Sequence, residues 1–258
     1  MQSVIDPERA DAQRAHAYFR LLAGGRRVGP FTLNLSSRND SPYANYAIPD
    51  DDAAPDGEDI SALVAAFAAR GRRPRLEYAP AAAPLVEPAL SSAGFEVELR
   101  PPMMTRRPEP WPETPVPKGF ELAFVQDEAQ LREIARVGRE AFGSPLIAGE
   151  IDVSGDVRAL ARGKRFIAAR DHASGAIIGC GSYMAPQQGV TEVVGVAVVE
   201  AFRRRGLAQA MTDLLARDAF RSGCVMAFLS AAGEQQAAIY ARAGFVRRAP
   251  MLFISRPS

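Results

Sequence analysis

The chain has 258 residues, 31 Lys and Arg against 30 Asp and Glu, a formal net charge of +1 and 47% hydrophobic residues. Such a balance gives no electrostatic reason to expect nucleic acid or an acidic membrane as partner, and no apolar run reaches the roughly 20 residues a membrane span needs. Two cysteines and two histidines are too few for a disulfide framework or a four-ligand zinc site, so no metal is expected.

The opening stretch MQSVIDPERADAQRAHAYFR is charged and lacks an apolar signal core, which points to a cytoplasmic protein. Cys180 and Cys224 both lie in apolar runs and read as buried free thiols in a reducing compartment. His16, in a polar helical pattern, and His172, in the turn-like RDHASG, are both expected at the surface. Residues 50–59, DDDAAPDGED, hold five aspartates and a glutamate. Their spacing fails the calcium-loop pattern, and they read as a solvated loop capping the following helix, ISALVAAFAARG. RPPMMTRRPEPWPETPVPKG (100–119) has seven prolines. Proline lacks the donor that helix and sheet interiors need, so this segment reads as an extended linker. It divides the chain into 1–105, a linker at 106–117, and 118–258.

The second part reads as mixed α/β. GFELAFVQ (119–126) has strand character, and DEAQLREIARVGREAF (127–142) is an amphipathic helix capped by Asp127. DVRALARG (156–163) is a shorter helix, and RFIAAR and AIIGCGSYMA flank the turn DHASG as a hairpin. TEVVGVAVV (191–199) is a β-branched strand, and a helix follows with Leu207, Met211, Leu214 and Leu215 on one face. VMAFLSA (225–231) is a further strand, EQQAAIYARAG (234–244) a helix stopped by Gly244, and FVRRAPMLFI a closing strand.

Between strand and helix stands AFRRRGLAQAM. A helix N-terminus carries unpaired N–H donors and about half a positive charge, a natural seat for phosphate. Gly206 lets an anion approach the backbone without a Cβ clash, and arginines add charge-assisted contacts. Neither a P-loop nor a dinucleotide fingerprint is present.

Arg203-Arg204-Arg205-Gly206-Leu207-Ala208 resembles the acyl-CoA turn, R/Q-x-x-G-x-G/A, of the GCN5-related N-acetyltransferase (GNAT) family. Tyr240, Gly244 and Phe245 resemble that family's Y-x-x-x-G-F ending, and the element order agrees over nearly all of 118–258. The resemblance implies an acyl-CoA N-acyltransferase fold, an α/β mixed sheet splayed between the strands at 191–199 and 225–231. It implies acetyl-CoA as co-substrate, its pantetheine on the backbone of Val196, Ala197 and Val198, and its pyrophosphate on the N–H groups of Arg203, Arg204, Arg205, Gly206, Leu207, Ala208 and Gln209. Tyr240 is then the acid for the leaving thiolate, and the oxyanion donor a backbone N–H near Val196. Glu192 shares a two-residue alternation with Val194, Val196 and Val198 and stands where histone-acetylating members keep a base. Many members carry an asparagine seven residues before the tyrosine. Here that position is Gly233, with Ser230 as a possible replacement. The implied reaction is acetyl transfer by direct attack of a primary amine on a small molecule or peptide. A silent acyl-CoA-binding scaffold is the alternative. The chain reads as monomer or homodimer, with acceptor specificity assigned to 143–156, 184–189 and the first half.

The chain also aligns with itself at an offset of 150. YANYAIPD (43–50) falls on VVGVAVVE (193–200), RPRLEYAP (73–80) on GCVMAFLS (223–230), and ALSSAGFEVE (89–98) on IYARAGFVRR (239–248). Residues 1–105 thus read as a shortened, degenerate GNAT-like domain, a tandem arrangement with one active site. Leu90 stands in for Tyr240, and the acidic loop for the arginine turn.

Overall fold

A computed structural model describes residues 6–36, 40–143 and 151–257. The chain forms two compact units whose boundaries do not follow the linear division. One comprises Met1–Met103, Ser230–Gly233 and Arg247–Ser258, the other Met104–Leu229 and Glu234–Val246.

The first unit is built on a six-stranded sheet of order β1-β2-β3-β4-β13-β5. Its strands are β1 (Arg26–Val28), β2 (Phe31–Leu35), β3 (Asn45–Pro49), β4 (Arg75–Tyr78), β5 (Glu96–Leu99) and β13 (Leu252–Ser255). The neighbours β3 and β4 run parallel, pairing at Ala47↔Leu76. Helices α1 (Pro7–Leu22), α2 (Gly57–Ala68) and α3 (Val86–Ser92) complete it. Ile60, Leu63 and Phe67 of α2 recur at helical spacing and are buried, giving the stripe that faces the core. Phe31, Leu33, Leu76, Leu90, Leu252 and Ile254 share that core.

The second sheet has seven strands, ordered β12-β6-β11-β10-β9-β8-β7. These are β6 (Met103–Arg106), β7 (Phe120–Phe124), β8 (Arg165–Asp171), β9 (Ile177–Tyr183), β10 (Val190–Val198), β11 (Met226–Ser230) and β12 (Val246–Arg247). Its helices are α4 (Glu128–Ala141), α5 (Ser154–Ala161), α6 (Leu207–Arg221) and α7 (Glu234–Arg242). Asp127 caps α4 as expected, its carboxylate accepting from Gln130 N–H at 2.9 Å. Gly179 and Gly181 let α6 approach β9. A Cβ there would stand 3.3 Å from Met211 Cε and 3.3 Å from Leu215 Cδ1, respectively.

Two strands depart from the sequence reading. FVRRAPMLFI splits, with β12 at the edge of the seven-stranded sheet and β13 between β4 and β5 of the other. The expected linker begins as β6, buried throughout and lying between β11 and β12. With these placements the six-stranded sheet repeats the seven-stranded one strand for strand and lacks only a counterpart of β7.

Both cysteines are buried and free, and burial pushes the Cys180 thiol up to about 11. His172 is exposed, as expected. His16 is not. It is fully buried, its Nε2 accepting the Ala79 N–H at 2.9 Å and its Nδ1 standing 3.1 Å from Asp51 Oδ1. The acidic loop is also less solvated than its composition suggests. Asp50 pairs with Arg27, Asp51 with His16 and Arg20, and Asp52 with Arg9. No helix among the described residues is long and apolar enough to cross a membrane.

Candidate acyl-CoA site

The site is built where β10 parts from β11. The parallel pairing covers Val190↔Met226, Thr191↔Ala227 and Glu192↔Phe228 and ends there, while β10 continues to Val198. On its other side β10 pairs with β9 through a bulge. Val194 faces Ser182 and Ala197 faces Cys180, so three steps along β10 answer two along β9. Gly195, with φ +65°, absorbs the extra residue. A bulge leaves one residue out of the ladder and bends the strand.

The bulge corrects the expected alternation. Counting from the register, Glu192 and Val194 share a face with Ala197, not with Val196 and Val198. Glu192 therefore stands at the fork of β10 and β11 as the last paired residue, half-buried, on the opposite face of β10 from Val198.

Beyond Val198 the chain turns through Glu200–Phe202 into α6. Gly206 takes the N-cap position with φ +84°, and no side chain caps the helix. Arg204 also has a positive φ, +62°. Ala210 N–H is the first in α6 to find a carbonyl, that of Gly206, and Arg203 N–H is taken by Glu200 O at 3.1 Å. Among the described residues, the six N–H groups from Arg204 to Gln209 donate to nothing. The expected donor run thus loses Arg203 and keeps the other six.

The arginines divide their labour. Arg203 is a tie, with Nε donating to Val198 O and Nη2 to Ala141 O, both at 3.0 Å. The guanidinium carbon of Arg205 lies 5.0 Å from the Phe202 ring centre and 5.9 Å from that of Phe120. Arg204 is exposed and makes no ion pair among the described residues. Leu207 is buried, anchoring the first turn, and Ala208 is half-buried. Gln209 Nε2 donates to Arg242 O at 3.1 Å.

Tyr240 is on α7, half-buried, its hydroxyl without a hydrogen bond among the described residues. Burial raises its pKa above the usual phenolic value, which keeps the proton on oxygen at neutral pH. Phe245 N–H returns to Tyr240 O at 3.0 Å, and Gly244, at φ +84°, makes the turn. Ser230 ends β11. Among the described residues no group of three or more His, Cys, Asp or Glu could hold a metal. Of the expected specificity loop, 144–150 lie outside the described residues.

Residues 131–245 match the family model for the acetyltransferase (GNAT) family. This part of the chain is similar to the GNAT family. A GCN5-related N-acetyltransferase from Kribbella flavida aligns over 96% of both chains, with 22% identity and a TM-score of 0.79. A tandem GNAT protein from the clavulanic acid biosynthesis pathway aligns over 83% of this chain and 79% of its own, with 15% identity and a TM-score of 0.57. A GCN5-related N-acetyltransferase from Sphaerobacter thermophilus aligns over 72% of this chain and 61% of its own, with 20% identity and a TM-score of 0.58. At such identities these structures share the fold, and the first two extend the likeness across most of the chain. No curated protein matches. The fold is that of the GNAT acetyltransferases.

Sequence reasoning missed Asp213. It falls among the buried residues of α6, flanked by Met211 and Leu215. A charge on a buried face demands partners, and Arg217 one turn on was the available signal.

Proposed function

We propose that the protein is an acetyl-CoA-dependent N-acetyltransferase acting on a primary amine of a small molecule or peptide. The observation that carries this reading is the open start of α6. Six N–H groups without a partner among the described residues, and the positive end of a 15-residue helix, follow a strand that has parted from its neighbour, and no carboxylate of the described residues satisfies them. Such a cradle suits a pyrophosphate, with Arg204 the arginine still available to it. The backbone of Val196, Ala197 and Val198, past the fork, would take the pantetheine arm by strand-like pairing. The residue that the bulge frees from the ladder would supply the oxyanion donor.

In this reading the neutral amine nitrogen attacks the acetyl carbonyl, the carbon–sulfur bond breaks, the thiolate takes a proton from the Tyr240 hydroxyl, and the proton the new amide nitrogen sheds restores Tyr240 through water. An alkylammonium of pKa about 10.4 must first lose a proton, and Glu192, at the fork, is the carboxylate proposed to accept it, directly or through water. Ser230 takes the place of the family's asparagine. The first half, with Leu90 for the tyrosine and an acidic loop without arginine in place of the arginine turn, is proposed to carry no second active site.

The test is a thermal-shift titration with acetyl-CoA, CoA and ATP. A ligand at about 100 times its Kd adds about 2.7 kcal/mol, so acetyl-CoA and CoA should raise the melting temperature and ATP should not. Release of CoA on an amine panel then separates the enzyme from a silent binder. A chain that acetyl-CoA does not stabilise is not this enzyme.

A further inference from the structure

The prolines of 106–117 suit a spacer, but the contacts of the segment do not. The chain there runs along α6 toward its start. Trp111 O accepts from Arg217 Nη2 at 2.6 Å. Thr114 N–H donates to Asp213 Oδ2 at 2.7 Å, and Thr114 Oγ1 accepts from Gln209 Nε2 at 3.4 Å. Pro117 Cγ stands 3.6 Å from the place a Cβ on Gly206 would take. The contacts step down the helix, 217, 213, 209, 206, about one turn at a time, and end at the cradle.

Asp213 is the clip. Its side chain is 2% exposed. Oδ1 accepts from Arg106 Nη1 at 2.6 Å, and Arg217 Nε reaches both oxygens at 3.0 and 3.1 Å. A buried carboxylate with two guanidinium partners and a backbone N–H is fully committed. Arg106 carries the connection onward, the same Nη1 donating to Ala243 O at 2.8 Å. Gly244 has a second reason to be glycine here, because a Cβ would stand 3.0 Å from Arg106 Nε and 3.0 Å from Trp111 Cδ2. The segment therefore ties together the start of α6 and the end of α7, which carries Tyr240.

We propose that residues 106–117 are a brace for the acyl-CoA site, with Asp213 the positioning residue that clips it in place. The inference rests on the acyl-CoA reading above. The brace would hold the phosphate cradle and the α7 terminus in one frame before ligand arrives, so that binding does not have to order them. Linkage makes the effect reciprocal. If a seated brace favours acetyl-CoA, acetyl-CoA seats the brace by the same factor.

The chain carries its own reporter, because Trp111 is its single tryptophan. In full-length Asp213→Asn, acrylamide should quench Trp111 more readily than in the wild type. Saturating acetyl-CoA should restore part of the protection, and the acetyl-CoA Kd measured by calorimetry should rise at least about fivefold. A merely structural role would lower the melting temperature without making Trp111 accessibility depend on acetyl-CoA. If Asp213→Asn does not fold, Arg217→Gln carries the test. It releases the Trp111 carbonyl and leaves Arg106 on Asp213. A folded variant with a loosened Trp111 that binds acetyl-CoA within about twofold of wild type overturns the brace. So does a Trp111 no more accessible in either variant. Failure of the wild type itself to bind acetyl-CoA overturns the reading beneath it, and the wild-type isotherm tells the two apart.

Discussion

Two helices of this chain begin at positions 150 residues apart, and they begin in opposite ways. In α2 the N-cap is Asp56, whose carboxylate accepts from Glu58 and Asp59 N–H, while Asp59 returns a carboxylate to Asp56 N–H. In α6 the N-cap is Gly206, with no side chain on the cap. The strands before them differ too. β3 and β4 meet at Ala47↔Leu76. At that offset Leu76 corresponds to Met226, which pairs with Val190 and not with Ala197, so the two pairings differ in register by seven residues. One half has filled its helix start with its own carboxylate; the other leaves it open. The fold tolerates either. An unfilled start costs stability that a cap would supply, and it makes physical sense where an external anion supplies the charge instead.

The sharpest way to break the comparison is to move the plug. Gly206→Asp places a carboxylate where the proposed pyrophosphate sits. The Asp56 cap is extended, with φ −93°, so the new residue must either strain at φ +84° or redirect the turn. Repulsion alone should weaken acetyl-CoA binding by roughly 100-fold or more. Gly206→Ala is the control, since it bears the ~1–2 kcal/mol strain of a left-handed residue without the charge. Equal losses in calorimetry for the two variants would make the effect one of backbone shape and not of anion binding.

Next is Tyr240→Phe, which moves the second half one step toward Leu90. Removing a positioned acid typically costs 10²-fold or more in rate. CoA release should fall by about that factor, while the acetyl-CoA Kd stays near wild type because the ring still packs. A rate within a few-fold of wild type would return the proton to water.

Much of this contrast was legible beforehand. The strand–arginine–glycine–helix order and the G-F stop after Tyr240 follow from local chemistry, and the offset of 150 appears when such short segments are laid on one another. The two stops match in detail, Phe95 N–H returning to Leu90 O as Phe245 N–H does to Tyr240 O. What could not be read depends on partners distant in sequence. Nothing in MLFI names β4 and β5 as its neighbours. The prolines of 106–117 gave composition but not the Asp213 clip 99 residues away. The β10 bulge hides because Gly195 within a β-branched run fits a regular strand as well. Arg203 looked like a phosphate ligand by type, but the fold spends it on two carbonyls. His16 fails for the same reason, since a polar pattern in α1 does not reveal Asp51.

The acidic loop makes the comparison testable by pH. His16 is held below its ordinary pKa, first by burial, with Asp51 opposing and Arg20 adding to the depression. The Ala79 N–H needs the Nε2 lone pair, so the folded ring is neutral and donates from Nδ1 to Asp51. A depressed folded pKa means that the unfolded state binds the proton first. Stability is therefore fully present above about pH 6.5 and falls as pH drops below it, by at most about 1.4 kcal/mol per pH unit for one proton. Asp51, also depressed, adds a loss only in the carboxylate range. Urea melts at pH 7.5, 6.5 and 5.5 should show the decline, and His16→Gln should flatten it. An unchanged slope in that variant would assign the decline elsewhere.

The smallest effect is the most telling about the plug. Asp56→Ala removes the α2 cap and should cost about 1 kcal/mol of stability. It frees donors at the start of a helix whose neighbouring strands remain paired at Ala47↔Leu76. If an open helix start were sufficient, this variant would gain a second acyl-CoA site, and calorimetry would report two per chain. The expected count stays at one. A pantetheine arm needs the fork as well as the cradle, and the loop ahead of α2 carries Asp50, Asp51 and Asp52 and has Ala53, Ala54 and Pro55 where the second half carries its three arginines. A count of two would show that the cap alone separates the two halves.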